Sequence, residues 1–125
     1  MVAKVSKLRE RILAAVDILF EDVEIKQWTN EDGTPVVIRC KTMSARQRAA
    51  WIDSASDSTG KLRAMAMYDI VLTNCFDPEN GELVFDIADR DALLDKSGAA
   101  MGKLQECIFR LSGLSGEAAA EATKN

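Results

Sequence analysis

The chain has 125 residues, 47% of them hydrophobic and 29% charged, enough for one packed core and too short for two. Its formal charge of −4, with an isoelectric point near 4.9, gives no overall attraction to phosphate, which speaks against nucleic acid and against an anionic membrane surface as partners. There is no histidine, so serine–histidine–aspartate and cysteine–histidine nucleophile arrangements are excluded and the commonest neutral-pH general base is missing.

At the amino end, MVAKVSKLRERILAAVDILF places basic residues ahead of an apolar run, as a signal peptide would. Arg9, Glu10, Arg11 and Asp17 break that run, however, and Leu8, Ile12, Ala15, Val16 and Leu19 recur with helical spacing, which predicts a retained amphipathic helix. No segment reaches the roughly 18 consecutive apolar residues of a membrane span. The period changes near residue 22. Val23 and Ile25, with Gln27 as a further position, alternate with Glu24, Lys26 and Trp28; the turn-rich residues 29–35 follow, and then Val36–Cys40. Two β-biased runs around an Asp-Gly loop predict an antiparallel hairpin.

From residue 44 the pattern is helical. Ser44 and Gln47 have the spacing of a capping box, and that helix runs to about Ser54. Asp57–Gly60 then interrupt the chain, and a helix over 61–74 places Met65, Tyr68, Leu72 and Cys75 on one side. Asp77-Pro78-Glu79-Asn80-Gly81 is a turn, Leu83–Phe85 a brief strand, and Asp89 the cap of a short helix over 90–95. In the last helix, within 96–114, Met101, Leu104, Ile108 and Leu111 share one face, while Lys103, Glu106 and Arg110 point mostly elsewhere. That stripe is either core or the lining of a partner groove. The expected fold is α+β: a mainly helical single domain over 1–114 with a small antiparallel hairpin near the N-terminus, followed by a short, flexible tail over 115–125.

Candidates for chemistry have plainer readings. Cys40, Cys75 and Cys107 are odd in number and far apart in sequence, so they read as free, buried or half-buried thiols in a reducing compartment. Asp77, Glu79, Glu82 and Asp86 lack the spacing of a calcium loop and read as solvated turn carboxylates. Arg46, Arg48 and Trp51 could suggest a nucleic-acid contact, yet Trp51 with Ile52 fits inward packing better. No cofactor or metal ligand set emerges.

The order of these elements carries a resemblance. ILAAVD at 12–17, VEIKQW at 23–28, VVIRCKTMSARQRAAW at 36–51, DPENGELVF at 77–85 and LLDKSGAAMGKLQECIFRLSGLS at 93–115 together resemble the tail assembly chaperones of long-tailed siphophages. Trp28, Arg48, Trp51, Gly81, Phe85, Lys96, Ser97, Leu104, Arg110, Leu111, Gly113 and Leu114 stand at the matching places. The loop after Trp28 is longer than the family's usual Trp-Gly-Gly turn, and an aromatic-Asp turn with proline replaces its common run of Asp, Glu and Gly. The resemblance implies a non-enzymatic protein that binds the tape measure protein and keeps it soluble until tail-tube subunits polymerise around it. It implies action in the host cytoplasm during assembly and absence from the mature virion, and it leaves room for a frameshifted longer form that recruits the tail-tube protein. Met43, Met65, Met67 and Met101 suit conformable apolar contacts, and Met101, Leu104, Ile108 and Leu111 are the candidate client-binding residues. Coating a long client calls for many copies, which is compatible with a homo-oligomer. The competing readings are a structural tail component retained in the virion, such as a tail-completion or tube-associated protein, and a small carboxylate enzyme.

Overall fold

Strict alternation along β1 (Phe20–Thr29) sends Val23 and Ile25 inward and Asp22 and Glu24 outward, and β2 (Pro35–Lys41) answers with Ile38 and Cys40 inside. The computed structural model describes residues 4–114 and pairs these strands antiparallel, with Val23 opposite Ile38 and Glu21 opposite Cys40. Between Ile25 and Thr29 the register shifts, and with the shift Trp28 packs against the core while Gln27 stays exposed. Gly33 closes the hairpin with a φ of 86°, which an L side chain adopts only under strain.

The helices follow the sequence closely in the middle of the chain. The Ser44 hydroxyl accepts from the Gln47 backbone and the Gln47 amide oxygen accepts from the Ser44 backbone, so the capping box is complete at the start of α2 (Ala45–Asp53). A 3₁₀ turn over Ser54–Ser56 extends it, and α3 (Lys61–Asn74) begins after the interruption at 57–60. Two expectations change beyond that point. Cys75–Phe76 form a third strand, β3, antiparallel to β2, while the strand expected over 83–85 reduces to a single bridge between Leu83 and Phe76. The second short helix, α4 (Arg90–Leu94), is entered through a 3₁₀ turn at Ile87–Asp89 that Asp86 caps. Asp89 reaches back to the Asp86 backbone at 2.8 Å instead of capping Arg90, because the helical turn begins three residues earlier than the apolar pattern indicates.

The last helix, α5 (Gly98–Leu111), starts at the Ser97 cap and lies across the inner face of β1 and β2 with α3 beside it. Its end is a Schellman arrangement: Leu114 N–H donates to the Phe109 carbonyl at 2.7 Å and Gly113 N–H to that of Arg110 at 3.2 Å. Gly113, at φ 77°, supplies the left-handed residue this requires.

The fold is therefore α+β: the described residues form five α-helices and a three-stranded antiparallel sheet of order β1-β2-β3, one strand more than the expected hairpin. The amino-terminal helix also differs. It spans only Leu8–Ala14 as α1, none of its residues is buried, and from Ala15 the chain is extended. Thr42 holds Leu19 in register with the sheet, its hydroxyl accepting from Leu19 N–H and its own N–H donating to Leu19 O, both at 3.0 Å. With no body surface beneath its apolar side, the helix lacks the packing that would propagate it through 19. The expected tail over 115–125 lies outside the described residues.

Burial ranks the apolar positions by energy. Leu104 is wholly enclosed and Leu13 is 67% exposed. Leu104→Ala is expected to cost roughly 2–5 kcal/mol in urea unfolding, and Leu13→Ala less than about 0.5 kcal/mol in the same measurement.

Candidate partner-binding surface

The closing-helix residues fall mainly in the core. Met101, Leu104 and Ile108 are buried, and Leu111 packs partly buried against them. The i, i+3, i+7 stripe is taken up by the inner face of the sheet and by α3, so these four side chains reach a client only if α5 leaves the sheet. The methionines behave similarly: Met43 joins the core and Met67 packs at its margin.

A polar clasp fixes α5 to β1. Arg110 forks onto Glu21, Nη1 to Oε1 at 2.8 Å and Nη2 to Oε2 at 2.6 Å, and its Nε meets Glu106 one turn earlier at 3.2 Å. Cys107 donates to Glu21 Oε2 at 3.2 Å. The Arg110 guanidinium and then the Cys107 thiol hold the Glu21 carboxyl down from 4.5 to about 2.

The three cysteines, distant in sequence, meet beneath that clasp. Cys40 and Cys75 are cross-strand partners and Cys107 faces them from α5; all three are free and buried. The neighbouring Cys75 thiol and burial raise Cys40 far above the usual thiol range, and burial followed by the Glu21 contact pushes Cys107 up to about 12. Such thiols make poor nucleophiles and poor ligands at neutral pH. Among the described residues no three Cys, Asp or Glu side chains are grouped to hold a metal ion.

The other polar candidates resolve into structural contacts. Trp51 is buried, with the Phe109 ring 5.1 Å away, tilted by 52°, and the Arg63 guanidinium 3.9 Å over its face. Arg48 donates to the Ser112 carbonyl at 3.1 Å, fastening α2 to the end of α5. Asp77 accepts from Glu79 N–H and Asp86 from Ala88 N–H, ordinary turn bonds. No described helix is long and apolar enough to cross a membrane.

What the surface offers instead is apolar area in two places that the sequence pattern assigned elsewhere. The first is the amino-terminal arm, residues 4–19, where Val5, Ile12, Leu13 and Val16 are all more than half exposed, Val16 at 91%. The second is the outer face of the sheet. Phe20 and Phe76 wall a groove of about 730 Å³ whose floor carries the Asp22–Arg39 ion pair and Lys41, the ammonium lying 5.4 Å from the Phe76 ring centre. Further along the strands, Glu24, Val37, Val84, Asp77 and Glu79 line a second depression of about 470 Å³. The signal for the groove was present in Phe20, an aromatic in phase with Asp22 and Glu24 on the face that alternation turns outward.

These features give the class of molecule: a small α+β domain, with its helical stripe packed in the core and exposed apolar residues on the arm and the open sheet face. The fold is shared with a solved structure, that of the bacteriophage HK97 tail assembly chaperone. The likeness has a TM-score of 0.58 at 14% identity and covers 85% of this chain and 98% of that one. No protein-family model and no curated protein matches the sequence.

Because Glu21 is ionised in the fold well below its ordinary range, its contribution is present above about pH 4.5 and lost as pH falls toward 2. Glu21→Gln is expected to remove that part of the acid sensitivity: the melting temperatures of wild type and variant, measured from pH 6 downward, should differ most at the upper end and converge toward about pH 2.

Proposed function

We propose that this protein is a phage tail assembly chaperone that binds the tape measure protein and keeps it soluble during tail morphogenesis. The observation that carries the reading is the fold shared with the HK97 tail assembly chaperone along nearly the whole of that protein. The order of sequence motifs points the same way independently of the coordinates.

The chemistry of the surface supports a binding role. A tape measure chain is long, helical and apolar, and a protein that shields it must present apolar area without aggregating. Here Leu83, Val84, Ile87 and Leu94 stand exposed along 83–94, in addition to the apolar arm and the open sheet face, on a chain whose net charge is negative. Acidic residues interleaved with exposed aliphatics allow helix-in-groove contacts while like charge keeps free copies dispersed. Asp77, Asp86 and Asp89 accept from turn and helix-end N–H groups, and the three thiols are enclosed. The role proposed is transient: the protein acts in the host cytoplasm and leaves before the tail is complete, with the tail-tube protein reached through a longer, frameshifted form.

Co-expression with the tape measure protein of the same genome provides the test. The client should be soluble and co-purify only when this chain is present; absence of a complex when both partners are folded and soluble alone overturns the assignment. Mass spectrometry of purified particles checks the transient role, which predicts no abundant peptides from this chain. Stoichiometric recovery in finished tails would instead make it a structural component.

A further inference from the structure

Four side-chain polar atoms are enclosed without a hydrogen-bond partner among the described residues, and three of them belong to one stacked pair: Arg63 Nε and Nη1, and Trp51 Nε1. The Arg63 guanidinium lies 3.9 Å over the ring of Trp51, which is itself buried. Stacking on an indole attracts the cation but gives its enclosed N–H groups no acceptor, and an enclosed polar group left in that state calls for a cause. No ion pair reaches Arg63 among the described residues. Desolvation lowers its pKa, the direction for a guanidinium withdrawn from water with no carboxylate beside it.

The same pair stands at a groove. Between α2 and α3, Ala50, Trp51, Ala66 and Ile70 line a pocket of about 200 Å³, room for one aliphatic side chain. The other polar residues there are engaged: the Gln47 amide donates to Thr73 at 3.1 Å, and Asp69 accepts from Arg90 Nε at 2.9 Å. Arg63 precedes Ala66 by one turn of α3 and Ile70 by two, which puts it at the amino-terminal end of the groove. Over 45–66, Arg46, Arg48, Lys61 and Arg63 stand against Asp53 and Asp57, the reverse of the chain's net charge of −4. The groove offers an apolar slot and, one turn away, a cation that lacks its anion.

We propose that the α2–α3 groove receives an amphipathic helix of the client, with an aliphatic side chain in the pocket and an aspartate or glutamate one turn along it paired with Arg63. This rests on the reading of the protein as the chaperone of a helical client, and it adds where and by what chemistry that client is held. Residues three or four apart share one face of a helix, so a single client helix presents both groups at once. The carboxylate supplies the acceptor that Arg63 lacks, through charge-assisted hydrogen bonds. A helix with the aliphatic group alone fills the slot and encloses the cation further without a counter-charge, which is the costlier state. The groove therefore selects acidic helices over neutral ones.

The test titrates the full chain with a synthetic helical peptide carrying leucine and glutamate one turn apart, with its glutamine twin, and with acetate. The glutamate peptide is expected to shift the indole N–H resonance of Trp51, told from that of Trp28 by a Trp28→Phe variant, and to bind at least about tenfold more tightly than the glutamine peptide. Arg63→Met keeps an apolar stem over the ring and removes the charge. It is expected to bind the two peptides equally weakly and yet to melt no lower than wild type, a combination that a purely structural arginine does not give. In co-purification the same variant should weaken the complex with the tape measure protein at least about tenfold. Should Arg63→Met fail to fold, Ala50→Phe, at an exposed position on the groove, fills the slot and is expected to abolish peptide binding. A wild type that binds neither peptide, a glutamine peptide that binds as tightly as the glutamate one, or a tape measure complex unchanged by Arg63→Met would each overturn the proposal. The last leaves the chaperone reading standing, whereas a wild type that forms no tape measure complex defeats that reading instead. Acetate that shifts Trp51 as the peptide does would make this a small-anion site, and a Trp51 resonance that moves when Glu117→Gln and Glu121→Gln are made in the chain alone would assign Arg63 to the chain's own tail; either result overturns the client contact.

Discussion

The burial of α5 against the sheet is the contact on which the rest of the molecule depends. Leu104 and Ile108 from the helix and Ile25 and Ile38 from the strands are enclosed together, and α3 closes the remaining side. Fully enclosing a side chain of this size stabilises the fold by roughly 1.5–3 kcal/mol, so this one interface supplies a large share of the stability of a domain with a net of roughly 5–15 kcal/mol. The Glu21–Arg110 fork adds direction more than energy. Both partners are more than a third exposed, where solvent screens an ion pair, but the bidentate geometry sets how the helix lies along β1. Once the helix is placed, Met101, Leu104 and Ile108 are enclosed and Leu111 partly so, and they meet a partner only if α5 leaves the sheet.

That consequence separates what the sequence made legible from what it did not. Ser44 with Gln47, the interruption at 57–60, the bounds of the helix over 61–74 and the alternation at Val23 and Ile25 are local: each depends on neighbours within one turn or one strand, and each was readable. The same holds for the inward place of Trp51. The third strand was not readable, because two residues directly after a helix carry no alternation of their own, and Cys75–Phe76 become a strand only through pairing with Arg39 and Cys40. The outward phase of Gln27 had the same origin, a register shift decided between strands. The exposed apolar surface was harder still. Periodicity at Leu8, Ile12 and Val16 indicates that an apolar face exists and says nothing of where its cover comes from, and in this fold the body does not supply it.

The arrangement of the thiols shows how such long-range closure can imitate a site. Cys40, Cys75 and Cys107 converge in space with Glu21 above them, a set that in another setting would suggest redox or metal chemistry. Burial decides against it. Removing a thiolate from water disfavours the charged form, and a carboxylate beside Cys107 disfavours it further, so the Cys40 and Cys107 thiols are held protonated within the packing.

A fold held in this way tolerates extensive sequence change, which is why a likeness at 14% identity is physically reasonable. What must persist is a pattern: an apolar stripe of helical period at the end of the chain, an alternating hairpin near its start, and a stop at the end of α5. Gly113 supplies that stop in a left-handed conformation, and Leu114 tucks in behind it so that the last carbonyls are satisfied. Ser112 then joins the two ends of the fold, its hydroxyl accepting from Met43 N–H at 2.9 Å and donating to Ile108 O at 2.7 Å, while its carbonyl takes the Arg48 guanidinium. These contacts use backbone groups and small side chains, and so constrain few residue identities elsewhere. The arm and the outer sheet face lie outside that network, and residues there are free to follow whatever partner they serve.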